Sequence, residues 1–109
     1  MCGINGEIRF DHSIKDLSCL TQMNEALKSR GPDTSGVFQQ NRVAFGHRRL
    51  KIIYLGSASN QPMIDSELGL SIVFNGAIYN YQEVKARLVK KGYRFFSDGD
   101  TEVVLKAYH

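Results

Sequence analysis

Two hydrophobic periods follow one another at the start of the chain, and together they constrain the fold more than any other feature. Residues 2–10 alternate between apolar and polar, which is typical of a half-buried strand with Cys2 and the isoleucines facing a core. Apolar residues then recur at intervals of three and four from Ile14 to Leu27, which predicts an amphipathic helix over about 14–30, opened by Ser13 and Asp16 as a capping-box variant. We therefore expect a chain that mixes strands and helices.

The rest of the chain continues this mixture. Short apolar runs at 36–38 and 43–45 flank a polar turn and predict a hairpin, and residues 70–74 predict a further strand. Asn80 and Glu83 predict the start of a second helix, with Gly92 after its last turn. Residues 93–96 are a short strand candidate, and a last helical pattern runs through Val103 to Tyr108. In the acidic run 98–102, helix capping is a better interpretation than a cation site.

Composition excludes several classes of protein. The 109 residues are 42% hydrophobic and 23% charged, so neither disorder nor a membrane span is indicated. We see no secretory signal, so we expect a cytoplasmic protein with its two cysteines reduced and no metal site. The net charge of +3 comes largely from basic residues near the end of the second predicted helix, where a solvated face explains them better than a nucleic-acid site.

Cys2 is the candidate nucleophile. If Met1 is trimmed, residue 2 carries a thiol and a free α-amine whose unperturbed pKa of about 7.7–8.0 suits a general base near neutral pH. The segment alone favours a plainer interpretation, in which Cys2 is a small buried packing residue. A third alternative pairs Cys2 with His47, because an imidazole commonly activates a thiol.

The dipeptide Asn75-Gly76 follows the predicted strand 70–74. It can present a side-chain amide and a backbone N–H side by side, and two such hydrogen-bond donors can stabilise an oxyanion. A plain turn is the interpretation that the dipeptide favours by itself.

Six short motifs occur in one order along the chain, and this order resembles the glutaminase domain of class II glutamine amidotransferases, in particular that of glutamine-hydrolysing asparagine synthetases. The motifs are Met-Cys-Gly-Ile (1–4), Arg-Gly-Pro-Asp (30–33), Gly-His-Arg-Arg-Leu (46–50), Gln-Pro-Met (61–63), Asn-Gly-Ala-Ile-Tyr-Asn (75–80) and Asp-Thr-Glu-Val (100–103). The resemblance covers nearly all of the chain. It implies an α+β fold, the N-terminal-nucleophile αββα sandwich of antiparallel sheets, here incomplete, with residues 1–109 as the N-terminal part of the domain.

The resemblance also implies roles for individual residues. Cys2 would attack the side-chain amide of glutamine and form a γ-glutamyl thioester, with Asn75 and Gly76 as the oxyanion hole. Arg49 would bind the substrate α-carboxylate and Asp100 the α-ammonium group, a pairing that suits a zwitterion. The remaining substrate-binding residues that it implies are Leu50, Ile52, Ile53 and Ala77.

Some positions depart from the family pattern. Ala77 stands where the family usually has Glu, and Lys51 and Tyr54 stand where it often has Ser and Asp. The departures suggest a divergent member, and they leave open a non-catalytic module that binds glutamine or mediates oligomerisation. We expect no cofactor in this domain, with ATP and Mg²⁺ confined to a C-terminal synthetase domain absent from this chain. We expect glutamine as substrate, no nucleic acid or membrane as partner, and a possible homodimer.

Overall fold

The computed structural model describes residues 2–51 and 57–109. Its first sheet, called sheet A here, has the strand order β1-β3-β2 and is antiparallel throughout. These strands are β1 (Gly3–Ile8), β2 (Thr34–Gln40) and β3 (Val43–Arg49), and β2 and β3 form the predicted hairpin. Asn41 adopts a positive φ of 51° in the turn between them, a conformation that Asn tolerates better than most residues.

Helix α1 (Ser18–Ala26) packs on one face of sheet A. Leu20 and Ile14 form a small core with Ala44 of β3, and Asn24 of the helix accepts a hydrogen bond from the side chain of Asn5 at 3.1 Å. The helix is shorter than the predicted range. Its first turn is preceded by Asp16, which accepts hydrogen bonds from the backbone and the hydroxyl of Ser18, so Ser13 is not the capping residue.

The predicted core side of β1 was wrong. Helix α1 covers the face that carries Gly3, where an added Cβ would lie 3.1 Å from Leu27. On the opposite face Ile4 and Ile8 are 47% and 57% exposed. Alternation shows that a strand has two unlike faces, but it does not identify the face on which a helix packs. Here α1 packs on the face of Gly3 and Asn5, where a small residue and a side-chain hydrogen bond to Asn24 let the helix approach.

The second sheet, sheet B, is an antiparallel pair of β4 (Met63–Asp65) and β5 (Leu70–Ile72). Backbone of Gln61, just before β4, lies against Gly36 of β2, where a Cβ would collide with the Gln61 carbonyl. Further along, a solvent-open groove lined by Phe38, Phe45 and Leu70 separates the sheets. Sheet B thus covers only part of the face of sheet A that α1 leaves free.

Helices α2 (Tyr81–Lys90) and α3 (Asp100–Tyr108) complete the described chain, and α3 packs against both β5 and α2. Gly92 takes a φ of 97° just after α2, as predicted. Asn80 occupies the residue before α2 but makes no side-chain capping hydrogen bond, so the capping box predicted there was wrong. The architecture is α+β with two small antiparallel sheets, which confirms the predicted class and is consistent with part of an αββα sandwich.

Two predicted strands differ from the structure. β5 ends at Ile72 rather than at residue 74, and residues 93–96 form no strand. The backbone N–H of Phe96 donates instead to the carboxylate of Glu102 at 2.9 Å. No helix in the described part of the chain is long and apolar enough to cross a membrane.

Candidate active site

Cys2 lies at the head of β1, and its half-buried thiol contacts the backbone of Leu50 at the end of β3. Sγ is 3.4 Å from the Leu50 nitrogen, which donates to it, and 3.7 Å from the Leu50 oxygen. Because Gly3 pairs with Arg48, continuing the antiparallel register by one residue places Cys2 opposite Arg49. The predicted nucleophile and the predicted carboxylate-binding residue therefore lie at the same end of sheet A.

Arg49 is the last residue of β3 and is only 6% exposed. Its Nη1 donates to the side-chain oxygen of Asn60 at 2.8 Å. A guanidinium has five N–H donors in a planar fork, which suits bidentate binding of a carboxylate. Leu50 follows Arg49 and is half-buried beside the thiol. Ile52 and Ile53, predicted to line the substrate pocket, lie outside the described residues.

His47 precedes Arg49 by two residues, so both point to the same face of β3. The imidazole is 1% exposed. Burial lowers the pKa of His47, and the nearby positive charge of Arg49 lowers it further, while the backbone of Phe74 opposes the shift. The Nε2 atom has no hydrogen-bond partner among the described residues, and the thiol of Cys2 bonds Leu50 rather than this ring.

Asn75, Gly76 and Ala77 form an exposed segment after β5. Gly76 packs closely under the ring of Phe74, since an added Cβ would lie 2.8 Å from that ring. Within the part of the chain that the structure describes, no hydrogen bond occupies the side-chain amide of Asn75. An exposed amide next to a glycine N–H is available to a ligand oxygen.

Asp100, the first residue of α3, reaches back to this segment. Its Oδ2 accepts a hydrogen bond from the backbone nitrogen of Ile78 at 2.9 Å. The carboxylate is half-buried and does not cap its own helix, contrary to the capping interpretation of the acidic run. The structure therefore joins the two motifs 75–80 and 100–103 directly, through the residue proposed to bind an ammonium group.

A buried charge cluster supports α3 from its other side. Nζ of Lys106 lies 2.6 Å from Asp65 in β4 and 2.9 Å from Glu102, and all three side chains are 7% exposed or less. The ammonium group donates to Asp65 and holds the pKa of that carboxyl below its usual value. Burial opposes the charged form of Lys106, but the hydrogen bonds to both carboxylates outweigh it and raise the pKa of the lysine.

Comparison of the whole chain with known proteins identifies the family to which it belongs. A family model described as a glutamine amidotransferase domain matches residues 1–109. The chain belongs to the glutamine amidotransferase domain family.

Several curated relatives carry this domain as part of a longer protein. The chain is 45% identical over 89 residues to glutamine-hydrolysing asparagine synthetase 1 of Bacillus subtilis, a match that covers 82% of this chain and 14% of the relative. It is 34% identical to asparagine synthetase 3 of the same organism and 32% identical to asparagine synthetase 2 of Oryza sativa, each match covering 99% of this chain and 18% of the relative. This glutamine amidotransferase domain thus spans less than a fifth of these three relatives.

The sequence did not indicate the residues whose hydrogen bonds link the predicted site residues to one another. Asn60 contacts Arg49, and its neighbour Gln61 contacts both Phe74 and Thr101. Gln61 stood in one of the six motifs, but nothing in a Gln-Pro dipeptide predicts which distant backbone its side chain meets. In residues 2–51 and 57–109 of the domain, no three His, Cys, Asp or Glu side chains lie together as metal ligands would.

Proposed function

We propose that this domain hydrolyses glutamine to glutamate and ammonia with Cys2 as an N-terminal nucleophile. The observation that carries the proposal is the position of Cys2. Cys2 directly precedes the edge strand β1, its thiol lies against Leu50, and continuing the register of β1 and β3 by one residue puts it opposite Arg49. Membership of the glutamine amidotransferase domain family supports glutamine as the substrate.

The proposed reaction has two steps. The Cys2 sulfur attacks the side-chain amide carbon of glutamine, the proton from the thiol passes through the α-amine to the amide nitrogen, and ammonia leaves a γ-glutamyl thioester. Water, deprotonated by the same amine, then hydrolyses the thioester to glutamate and the free thiol. The amine becomes available only after Met1 has been removed, and Met1 lies outside the described residues.

Charge complementarity supports the way glutamine is oriented. Its α-carboxylate would meet Arg49, whose burial limits screening by water and so strengthens the attraction. Its α-ammonium would meet Asp100 near Ile78. The amide of Asn75 and the N–H of Gly76 would stabilise the oxyanion, and Leu50, Ile52, Ile53 and Ala77 would line the pocket.

We further propose that the ammonia serves an ATP-dependent amidation domain of the asparagine synthetase type. The names of the relatives support this partner. ATP and Mg²⁺ would act in that domain, while the reaction proposed here uses only protein groups. A cytoplasmic location, a homodimer and the absence of nucleic-acid and membrane partners remain predictions.

The test compares natural full-length protein with a free Cys2 amine against protein that keeps one extra residue before Cys2. We expect the blocked form to release ammonia from glutamine about 10²–10⁴-fold more slowly, because general-base catalysis typically contributes this much. Alkylation of Cys2 by iodoacetamide, measured on both forms, checks that the thiol stays accessible. Cys2→Ala should abolish release, whereas Cys19→Ala, which removes an exposed cysteine on α1, should not.

The alternatives give different results in the same assay. A Cys2/His47 hydrolase would keep full activity when the amine is blocked and lose it in His47→Gln. A non-catalytic module would bind glutamine without releasing ammonia. Full activity of the blocked form with an accessible thiol would refute the N-terminal-nucleophile mechanism.

A further inference from the structure

The side chain of Gln61 occupies the place of a strand residue beside Phe74. Its Nε2 donates to the Phe74 oxygen at 3.1 Å, and its Oε1 accepts from the Phe74 nitrogen at 2.5 Å. A primary amide has a donor and an acceptor side by side, as the backbone of one residue does in a hydrogen-bonded antiparallel pair. The backbone pairing of β5 has already ended at Ile72, so the Gln61 amide extends it with a side chain.

The same amide also reaches α3. Nε2 of Gln61 lies 3.3 Å from the hydroxyl of Thr101, which is 6% exposed and directly follows Asp100. The Gln61 side chain therefore joins Phe74, the residue before Asn75, to Thr101, the residue after Asp100. Because Asp100 accepts a hydrogen bond from Ile78, both ends of the segment 74–78 are connected to the first turn of α3.

One further contact connects this arrangement to β3. Asn60, the residue before Gln61, accepts a hydrogen bond from Arg49 at 2.8 Å. Residues 60 and 61 thus contact the three parts of the chain that carry Arg49, Asn75 and Asp100. Asn75 and Gly76 are exposed, so burial does not fix their position, and the hydrogen bonds of Phe74 and Ile78 on either side hold the segment that carries them.

We propose that Gln61 is a positioning residue for glutamine hydrolysis, which holds Asn75 and Gly76 in register with Asp100. The proposal rests on the proposed function of the site. It predicts that the donor and the acceptor of residue 61 are both required. An ionised Glu has the same shape but no donor, so it would turn an attraction to the Phe74 oxygen into a repulsion.

The first experiment measures glutamine hydrolysis by Gln61→Glu in the natural full-length protein. We expect kcat/KM to fall about 10²-fold, the loss that a misplacement of about 1 Å can cause in an active site. Gln39→Glu is the matched control, because Gln39 also donates from Nε2 to a backbone oxygen, that of Ile14, but far from the site. The control should keep the parental kcat/KM, and the alkylation rate of Cys2 should be the same in all three proteins.

A double-mutant cycle with Asn75→Ala separates positioning from general damage to the fold. If Gln61 acts through Asn75, Gln61→Glu should cost much less in the Asn75→Ala background than in the parent. A loss by the same factor in both backgrounds would overturn the proposal, because a smaller folded fraction reduces activity whichever residue occupies position 75. Parental activity of Gln61→Glu would overturn it as well.

Hydrogen exchange supplies a readout without substrate. Amides of residues 74–78 should exchange faster in Gln61→Glu than in the parent, with exchange of the α1 amides unchanged, and exchange at the parental rate would overturn the proposal.

Failure of the proposed function would give a different result. A parent protein with a free amine that hydrolyses no glutamine would refute the function, and the positioning role would fall with it.

Discussion

Replacing Lys106 by Met should destabilise α3 strongly, although the residue lies outside the candidate active site. Its ammonium group is 2.6 Å from Asp65 and 2.9 Å from Glu102, with side-chain exposures of 4%, 7% and 0%. Removing the cation leaves two carboxylates buried with no countercharge. Breaking a buried pair in this way costs about 3–5 kcal/mol.

Loss of the lysine should destabilise the two carboxylates to different extents, because they keep different hydrogen bonds. Glu102 keeps hydrogen bonds from the backbone of Phe96 and from the backbone and hydroxyl of Ser97. Asp65 keeps a weaker set of contacts, the backbone nitrogen of Leu68 at 3.1 Å and the nearby backbone of Glu67. We therefore expect a second change, Asp65→Leu, to recover part of the stability lost in Lys106→Met, since an apolar pair avoids the desolvation of unpaired charge.

The measurement is hydrogen exchange of the α3 amides in the natural full-length protein. Since each 1.4 kcal/mol is a factor of ten, a loss of about 3–5 kcal/mol should accelerate exchange by roughly two to three and a half orders of magnitude. Lys28→Met is the control, because Lys28 pairs with Glu25 at 3.2 Å while both side chains are at least 60% exposed. Such a surface pair should contribute at most about 1 kcal/mol.

Two results would refute this reasoning. One is exchange of α3 in Lys106→Met within tenfold of the parent, which would mean that the cluster is hydrated or relaxes freely. The other is a double variant less stable than Lys106→Met alone, which would mean that Asp65 is not the carboxylate left unpaired.

The remaining predictions concern binding and pH. Arg49→Ala and Asp100→Asn should each raise the KM for glutamine, measured by glutamate release, because each removes a charge-assisted contact of roughly 1.5–3 kcal/mol, and unchanged KM values would contradict both assignments. The lowered pKa of Asp65 makes its contribution to stability present above about pH 4, the value of an unfolded Asp, and lost as the pH falls through its folded value. The raised pKa of Lys106 makes its contribution present below about pH 10.4 and lost as the pH rises through its folded value. Protection of α3 amides, corrected for intrinsic exchange, should therefore fall at both extremes, and acid protection equal to that at pH 7 would contradict the role of Asp65.

Local sequence patterns were enough to predict most of the elements. The hairpin of β2 and β3, the helices α2 and α3, and Gly92 after α2 depend on periodicity and turn chemistry, which act over a few residues. The α+β class and the family, which rest on motifs taken in order, are confirmed. The roles of Cys2, Arg49, Asn75, Gly76 and Asp100 stay predictions, as does the domain assignment of residues 1–109.

Tertiary structure decided where these patterns stop. The strand predicted to reach Phe74 ends at Ile72, and beyond it the backbone groups of Phe74 bond the side chain of Gln61. The strand predicted at 93–96 does not form, and the N–H of Phe96 bonds Glu102. In each case a side chain takes the backbone group that a neighbouring strand would have paired. For Phe74 that side chain comes from Gln61, which the pairing of β4 with β5 places opposite it, and for Phe96 it comes from Glu102 in the first turn of α3. A pattern of apolar residues carries no information about such a partner, because the partner comes within reach only when β4 pairs with β5, or when α3 packs against the segment that precedes it.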